Sequence, residues 1–234
     1  MSEVARPATR SGMDLLAIDG DVTLTTRAYE ALRRAVSEMR IYDGDTDLRL
    51  DERALAHDLG ISRTPVRAAL LRLEHEGLVR TIPRRGVYVV RKTKAEIIEV
   101  ILASAALESM AARLAAERAA DEQIGSLRRE FPQFGDAGAP LDEYSHANIR
   151  FHQRIVDLAD SKLLSGLVST LQVHMRAIRG ATIGDGDRVA RSIVDHMHII
   201  EALEARDAEL LERHVREHAV GLARHVFEHV TNLD

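Results

Sequence analysis

The feature of this sequence that most restricts its fold is a pair of short amphipathic segments separated by a single glycine. Leu55 and Leu59 recur at helical spacing before Gly60, and Val66 and Leu70 recur at helical spacing after it. Glycine readily adopts the left-handed conformation that ends a helix and turns the chain. The pattern predicts two short helices joined by a tight turn.

Both helices have recognisable start signals. Asp51 precedes the first helix and Ser62 precedes the second. Short side chains of this kind accept hydrogen bonds from the free N–H groups of a first helical turn. Another helix, capped by Thr25 or Thr26 and extending to about Arg40, comes before them. We therefore predict three helices in this part of the chain.

A β-hairpin is predicted directly after these helices. Residues 78–82 and 87–90 are β-rich, and the Pro-Arg-Arg-Gly sequence at 83–86 separates them. We expect the three helices and the hairpin to form one domain at 23–91, a helix-turn-helix followed by a β-hairpin wing. Residues 1–22 lack any periodicity, and we expect them to be a flexible tail.

From residue 92 onward the β signals nearly vanish and helical periodicity dominates. The expected fold class is therefore mainly α, with an all-helical bundle at 92–234 after the winged domain. The predicted helices of this bundle lie at 94–119, 121–132, 140–159, 161–179, 187–205 and 207–230.

The formal net charge of −5 hides a division between the two domains. Residues 49–91 contain nine arginines and five acidic residues, whereas the chain from residue 92 has 17 basic and 23 acidic residues. A basic module joined to an acidic one is typical of a DNA-contacting domain followed by a domain that does not touch DNA.

Composition excludes several other classes of protein and of site. The chain has no cysteine, so a transition metal would need histidine together with carboxylate or amide oxygens. It also lacks tryptophan, which argues against base-stacking on single strands. No run approaches the roughly 20 apolar residues of a membrane span, and the N-terminus lacks the core of a signal peptide. We expect a cytoplasmic protein with no membrane partner.

The helix after Gly60 has the chemistry of a DNA-recognition helix. Arg63 and Arg67 are four residues apart and share one face, and arginine pairs bidentately with guanine in the major groove. Thr64 is placed to reach a base or a phosphate. Arginines on a solvated helix face are the alternative, but the ordered set of turn, cap, spaced arginines and hairpin favours DNA.

Residues 26–91 resemble the winged helix-turn-helix domain of GntR-type bacterial transcription regulators. The resemblance implies DNA contacts before the helix-turn-helix, on the recognition helix and in the wing. Together, pattern and resemblance predict contacts from Arg53, Ser62, Arg63, Thr64, Arg67, Arg84, Arg85 and Gly86. The matching residues are Leu55-Ala56-x-x-Leu59-Gly60-Ile61-Ser62-Arg63-Thr64-Pro65-Val66-Arg67-x-Ala69-Leu70, Leu73-Glu74-x-Glu76-Gly77-Leu78-Val79 and Pro83-x-x-Gly86.

The helical domain contains a candidate metal set. Asn148 and His152 share one helix face, and His196 and His218 lie on later helices. Side chains from separate helices of a bundle can enclose a divalent ion. Spacing alone leaves solvated histidines or a packed polar cluster as alternatives. His198 points away from His196 on the same helix, so only one of the two can face the centre.

This domain is similar to the FCD effector domain of the FadR subfamily, whose metal-binding members carry Asp or Asn four residues before a Phe-His pair and two later histidines. The resemblance implies one divalent ion, with zinc expected and nickel or manganese as alternatives, at Asn148, His152, His196 and His218. Many relatives have Asp instead of Asn, so the neutral ligand should hold the metal less tightly.

Ser104 stands where many relatives carry an arginine on the first helix of the domain. A carboxylate effector therefore needs another cation, for which we propose Arg150, Arg176 or Arg179.

The sequence therefore predicts a homodimeric transcriptional repressor that is not an enzyme. It would bind a palindromic DNA operator and respond to a small organic or sugar acid. A metal-free sensor of acyl thioesters is an alternative, but imidazoles suit an apolar cavity poorly. A helical metal-dependent hydrolase is another, but no carboxylate stands out as a general base beside the histidines.

Overall fold

The computed structural model describes residues 23–39, 41–42, 47–130, 141–182 and 186–230. The predicted tail at 1–22 lies outside these residues. Within the described ranges the chain forms nine helices and one three-stranded sheet. The elements in chain order are α1 (Leu24–Glu38), β1 (Arg49–Leu50), α2 (Glu52–Asp58), α3 (Arg63–His75), β2 (Val79–Ile82), β3 (Gly86–Val89), α4 (Lys94–Arg118), α5 (Asp121–Glu130), α6 (Leu141–Leu158), α7 (Lys162–Thr182), α8 (Gly186–Glu204) and α9 (Ala208–His229).

The predicted helix-turn-helix is formed by α2 and α3. The Gly60 N–H donates to the His57 carbonyl at 3.1 Å, and the Ile61 N–H donates to the Ala56 carbonyl at 3.0 Å. This pair of hydrogen bonds is a Schellman motif, which needs a left-handed residue after the helix. Gly60 has a φ of +65°, a conformation that glycine adopts without strain.

One helix start differs from the prediction. The cap of α1 is Thr23, whose hydroxyl accepts a hydrogen bond from the Thr26 N–H, so the prediction of Thr25 or Thr26 is wrong. A capping side chain two residues earlier lets the helix begin sooner. Asp51 caps α2 as predicted, whereas Ser62 occupies the cap position of α3 without a side-chain capping bond.

The predicted hairpin is part of a three-stranded antiparallel sheet with the order β1-β3-β2. β2 pairs with β3 so that Ile82 lies opposite Gly86, and β1 places Arg49 opposite Tyr88. A strand of two residues is too short to show the period-two alternation by which strands are recognised. The sequence therefore predicted only two of the three strands.

All six helices predicted for the second domain are present, with ends within three residues of the predicted ones. The long α4 packs along α9 and also contacts α6, α7 and α8. Buried alanines such as Ala112 and Ala115 allow other helices to approach it closely, and Ile199 and Leu203 of α8 fill the same core. A capping box at Thr93 and Glu96 fixes its first turn.

Helix α7 joins the two domains. Its Val173 is buried in the apolar core of the winged domain. Arg33 of α1 donates to the Ser169 carbonyl at 2.7 Å and pairs with Glu76 at 3.2 Å, and His174 lies 3.0 Å from the Glu76 carbonyl. The DNA-binding domain therefore rests on a helix of the second domain through apolar and polar contacts.

Among the helices of the described chain, none combines the length and apolar character needed to cross a membrane.

Two leucines on α3 that differ in burial should differ in how much their substitution changes the stability of the winged domain. Leu73 is fully buried, whereas Leu71 is 57% exposed. We expect Leu73→Ala to lower the free energy of unfolding by about 2–5 kcal/mol, because it leaves a cavity. Leu71→Ala should change it by less than about 0.5 kcal/mol. Urea denaturation measures both, and equal effects would contradict this packing.

Candidate DNA interface and metal centre

The predicted DNA-contacting residues are available at the protein surface. Seven of them are exposed and Gly86 is partly buried. The exposed residues are Arg53 on α2, Ser62, Arg63, Thr64 and Arg67 at the start of α3, and Arg84 and Arg85 in the wing turn. Because the Ser62 hydroxyl does not cap the helix, it remains available beside the free N–H groups of the first turn.

Glu52 holds the two recognition-helix arginines side by side. One carboxylate oxygen of Glu52 lies 3.2 Å from Arg63 Nη2 and 2.7 Å from Arg67 Nε. Although partial burial acts to raise the pKa of Glu52, the bonds from Arg67 and Arg63 keep it below the usual value. Both guanidinium groups are more than half exposed. The arginines are therefore oriented in advance on a surface that a duplex can reach.

The wing turn has an unusual backbone at two positions. Arg84 has a φ of +63° and Gly86 a φ of +113°. An arginine in the left-handed region is uncommon and stores some strain. The turn projects the side chains of Arg84 and Arg85 into solvent.

The three predicted histidines meet in the interior of the helical domain. His152 comes from α6, His196 from α8 and His218 from α9. One ring nitrogen from each lies within 4.8 Å of the others. His152 Nε2 and His196 Nε2 are 3.3 Å apart. His196 and His218 are buried, whereas His198 is exposed, which agrees with the choice of His196.

Two carboxylates orient the rings of His152 and His218 by hydrogen bonds to their Nδ1 atoms, on the side away from Nε2. Glu108 of α4 lies 2.8 Å from His152 Nδ1, and Asp195 of α8 lies 3.0 Å from His218 Nδ1. An ionised carboxylate only accepts hydrogen bonds, so each Nδ1 carries the proton and each Nε2 presents a lone pair. Carboxylate–histidine pairs of this kind support metal ligands in many proteins.

The electrostatics favour a neutral imidazole at His218. Burial lowers the pKa of His218 to about 4, which outweighs the opposing bond to Asp195. Burial acts to raise the pKa of Asp195, but the bond from His218 and the charge of Arg188 keep it below its usual value. Neutral imidazole is the form that binds metals.

Asn148 lies on α6 one turn before His152 and is only 8% exposed. Within the part of the chain that the structure describes, its Oδ1 has no hydrogen-bond partner. A buried carbonyl oxygen without a partner is costly unless something absent from the structure satisfies it. The predicted fourth ligand therefore has a free oxygen beside the histidines.

A cavity of about 890 Å³, its open mouth included, adjoins the centre between α4, α6, α7, α8 and α9. Asn148, His152 and His218 line it. The predicted effector arginines differ in their position relative to this cavity. Arg176 is exposed and lines it, whereas Arg150 is exposed and does not line it. Arg179 has its side chain outside the described residues.

Sequence reasoning missed three charged residues here. Glu108 and Asp195 support the imidazoles, and Arg188 of α8 is buried in the cavity wall. Arg188, Ser192 and His196 follow one another at intervals of four, so all three lie on the same helix face. A search for charged residues at intervals of four before His196 would have identified Arg188 from the sequence.

Two family models match the chain in the order of its domains. The model described as "Bacterial regulatory proteins, gntR family" matches residues 24–89. The FCD domain model matches residues 99–221, which is more than half of the chain. The chain belongs to the GntR family. It is a DNA-binding transcriptional regulator with an FCD domain, as the resemblance implied.

Relatives of this GntR-family chain include two proteins named as repressors. The HTH-type transcriptional repressor RspR of Escherichia coli K12 is 27% identical over 81% of this chain and 83% of the repressor. The probable D-xylose utilization operon transcriptional repressor of Paenarthrobacter nicotinovorans is 31% identical over 71% of this chain and 74% of that protein.

Solved structures show the same fold. E. coli McbR/YncC has a TM-score of 0.70 at 22% identity, covering 90% of this chain and all of that one. A GntR regulator from Rhodococcus sp. RHA1 has a TM-score of 0.71 at 19% identity, covering 88% of this chain and 99% of that one.

Proposed function

We propose that this chain is a homodimeric repressor whose helical domain holds one divalent metal ion and responds to a small organic or sugar acid. The observation that carries the proposal is the histidine centre, where three buried or half-buried rings converge and carboxylates bond to the Nδ1 atoms of two of them, His152 and His218. Repression is inferred from the two relatives that are named as repressors.

The residues present fit a metal of the zinc type. Two ligand atoms on a tetrahedral zinc with bonds of ~2.1 Å are about 3.4 Å apart. The Nε2 atoms of His152 and His196 are 3.3 Å apart. His218 and the Asn148 oxygen would complete the set. The ion would supply positive charge and open coordination positions beside the cavity.

The same geometry disfavours the two alternative functions. A hydrolase needs a carboxylate free to act as a general base, whereas Glu108 and Asp195 each hold an imidazole. A sensor of acyl thioesters needs an apolar cavity for a long chain. This cavity includes Ser104, Gln172 and Arg188 among its lining residues.

We propose that α7 couples the effector cavity to DNA binding. Gln172, Met175 and Arg176 of this helix line the cavity, while the neighbouring Val173 and His174 contact the winged domain. A ligand that changes the position of α7 would also move the recognition helix. It must bind one arrangement more tightly than the other to change operator occupancy.

Specific operator binding should depend on the recognition helix. Arg63→Ala and Arg67→Ala should each weaken binding to the preferred operator by about 1–3 kcal/mol and reduce discrimination against random duplex, because each removes a base contact. Arg27→Ala, an exposed arginine on α1, is the matched control. Fluorescence anisotropy on an operator selected from random duplexes measures all three. Wild-type affinity in both recognition-helix variants would contradict the assignment.

The second prediction concerns assembly. One winged domain offers too small an interface for specific binding, so we expect a dimer on a two-fold symmetric operator. α4 exposes an apolar stripe of Leu102, Ala106 and Met110, which we expect a second copy to cover. Leu102→Asp should give monomers in sedimentation at micromolar concentration, whereas Leu163→Asp on α7 should not. A monomeric wild type, free and on DNA, would exclude the mechanism.

The third prediction concerns the metal. Purified protein should take up one zinc ion per chain at neutral pH, measured by elemental analysis. Zinc should raise the melting temperature, because a ligand of the folded state stabilises it. The double variant His152→Ala, His196→Ala should lose the ion and the thermal shift while still folding.

The exposed His198 provides the control for that experiment. His198→Ala should keep both the ion and the shift, since its ring lies outside the centre. Asn148→Asp should hold zinc more tightly because it supplies a charged oxygen. A wild type that takes up no zinc, or a double variant that retains it, would show that the four residues are a packed polar cluster.

A further inference from the structure

A single carboxylate oxygen bonds to both arginines of the recognition helix. Glu52 belongs to the first turn of α2, whereas Arg63 and Arg67 belong to α3. The shared atom is Glu52 Oε2, which accepts from Arg63 Nη2 and Arg67 Nε. The Glu52 side chain is 23% exposed, and both arginine side chains are more than half exposed. A duplex that approaches this surface therefore reaches the guanidinium groups more easily than the carboxylate.

These bonds leave enough donors on each arginine to read a base. A guanidinium has five N–H donors. Arg67 bonds to Glu52 through Nε, so the four N–H groups on its terminal nitrogens lie outside this bond. Arg63 bonds through Nη2, so four of its donors also lie outside. Guanine O6 and N7 need two donors from one arginine. Each arginine can therefore bind guanine without leaving Glu52.

The carboxylate has a different effect on DNA phosphates. Phosphates attract cations regardless of base sequence, and this attraction supplies most of the affinity for random duplex. Two guanidinium groups and one carboxylate together carry one net positive charge, whereas the two arginines alone would carry two. A phosphate near Arg63 or Arg67 is also repelled by Glu52. A guanine edge has no net charge, so this repulsion affects guanine much less.

The bonds to Glu52 also restrict where the arginines can reach. A mobile arginine can turn toward the nearest phosphate, and fixing such a side chain at an interface costs entropy. Because Glu52 already holds Arg63 and Arg67, less of this entropy remains to be lost when they meet guanine. The same bonds must stretch or break before either arginine can turn toward a phosphate.

From these observations we propose that Glu52 is a specificity-determining residue, which weakens the binding of Arg63 and Arg67 to phosphates and preserves their binding to guanine. It is a positioning residue, since it acts through the two arginines. The inference deepens the proposed function and rests on its DNA contacts from these arginines.

The salt dependence of binding to random duplex tests the role of the charge. Glu52→Gln removes the charge while keeping the side chain's size and an oxygen that accepts hydrogen bonds. It should bind random duplex about two- to fivefold more tightly at low salt. Between about 50 and 200 mM sodium chloride, its plot of log affinity against log salt should be steeper by about 0.9, the value for one more phosphate contact. Fluorescence anisotropy measures both quantities.

Two further variants control for charge elsewhere and for side-chain shape. Glu30→Gln removes an equal charge from an exposed position on α1 and should keep the wild-type salt slope. Glu52→Asp keeps the charge on a shorter side chain and should also keep that slope. A steeper slope in Glu52→Asp, or an equal change in Glu30→Gln, would overturn the role of the Glu52 charge.

The ratio of operator affinity to random-duplex affinity tests selectivity. It should fall about two- to fivefold in Glu52→Gln, because binding to random duplex rises more than binding to the operator. A wild-type ratio and slope would overturn the proposal. A loss of operator affinity with unchanged random-duplex binding would also overturn it, since Glu52 would then only orient the arginines.

The arginine variants separate this inference from the proposed DNA contacts. If Arg63→Ala and Arg67→Ala both keep wild-type operator affinity, the contacts themselves fail. If these two variants lose operator affinity while Glu52→Gln keeps the wild-type salt slope, only the role of Glu52 fails. In the double variant Arg63→Ala, Arg67→Ala, adding Glu52→Gln should leave the salt slope unchanged, because no arginine remains for it to release. A steeper slope there would show that Glu52 acts independently of the arginines and would overturn the proposal.

Discussion

The histidine centre is the constraint on which the relative arrangement of the helices in the second domain depends, because it ties four of them together through polar contacts. Glu108 of α4 bonds to His152 of α6, Asp195 of α8 bonds to His218 of α9, and His196 of α8 meets His152. Buried polar groups are costly unless each finds its partner, so these contacts fix how the helices are rotated. The arrangement of these helices determines the shape of the adjoining cavity.

Helix α7 extends this arrangement to the DNA-binding domain. One part of its surface lines the cavity, and the adjacent part lies in the winged domain's core through Val173. Interfaces packed at this density move between discrete arrangements more readily than they deform continuously. A ligand-dependent shift of α7 therefore has a short physical path to the recognition helix, through Arg33 and Glu76.

Local chemistry explains which parts of the structure could be predicted from the sequence. The turn at Gly60 and the six helices of the second domain leave signals within a few residues, and all were predicted. Helical periodicity placed the three histidines on separate helices, and the resemblance to the FCD domain selected them as one set. β1 was not predicted because a strand of two residues is too short to show the alternation of apolar and polar side chains.

The partners of the histidines depend on which helix faces meet, and spacing within one helix does not contain that information. Glu108 is 44 residues from His152, and Asp195 is 23 residues from His218. Arg188 is different, since its spacing from His196 placed it on the correct face. The prediction of Arg150, Arg176 or Arg179 did not use the shared face of α8, and of these three Arg176 lines the cavity.

The two departures from the relatives' pattern compensate each other in charge. By resemblance, many relatives place Asp at the position of Asn148 and an arginine at the position of Ser104. This chain has a neutral residue at both positions, so the loss of one negative charge is matched by the loss of one positive charge. Under the proposed function, Asn148 would attract the metal less strongly than Asp does, and Ser104 would leave a carboxylate effector without the cation that those relatives supply.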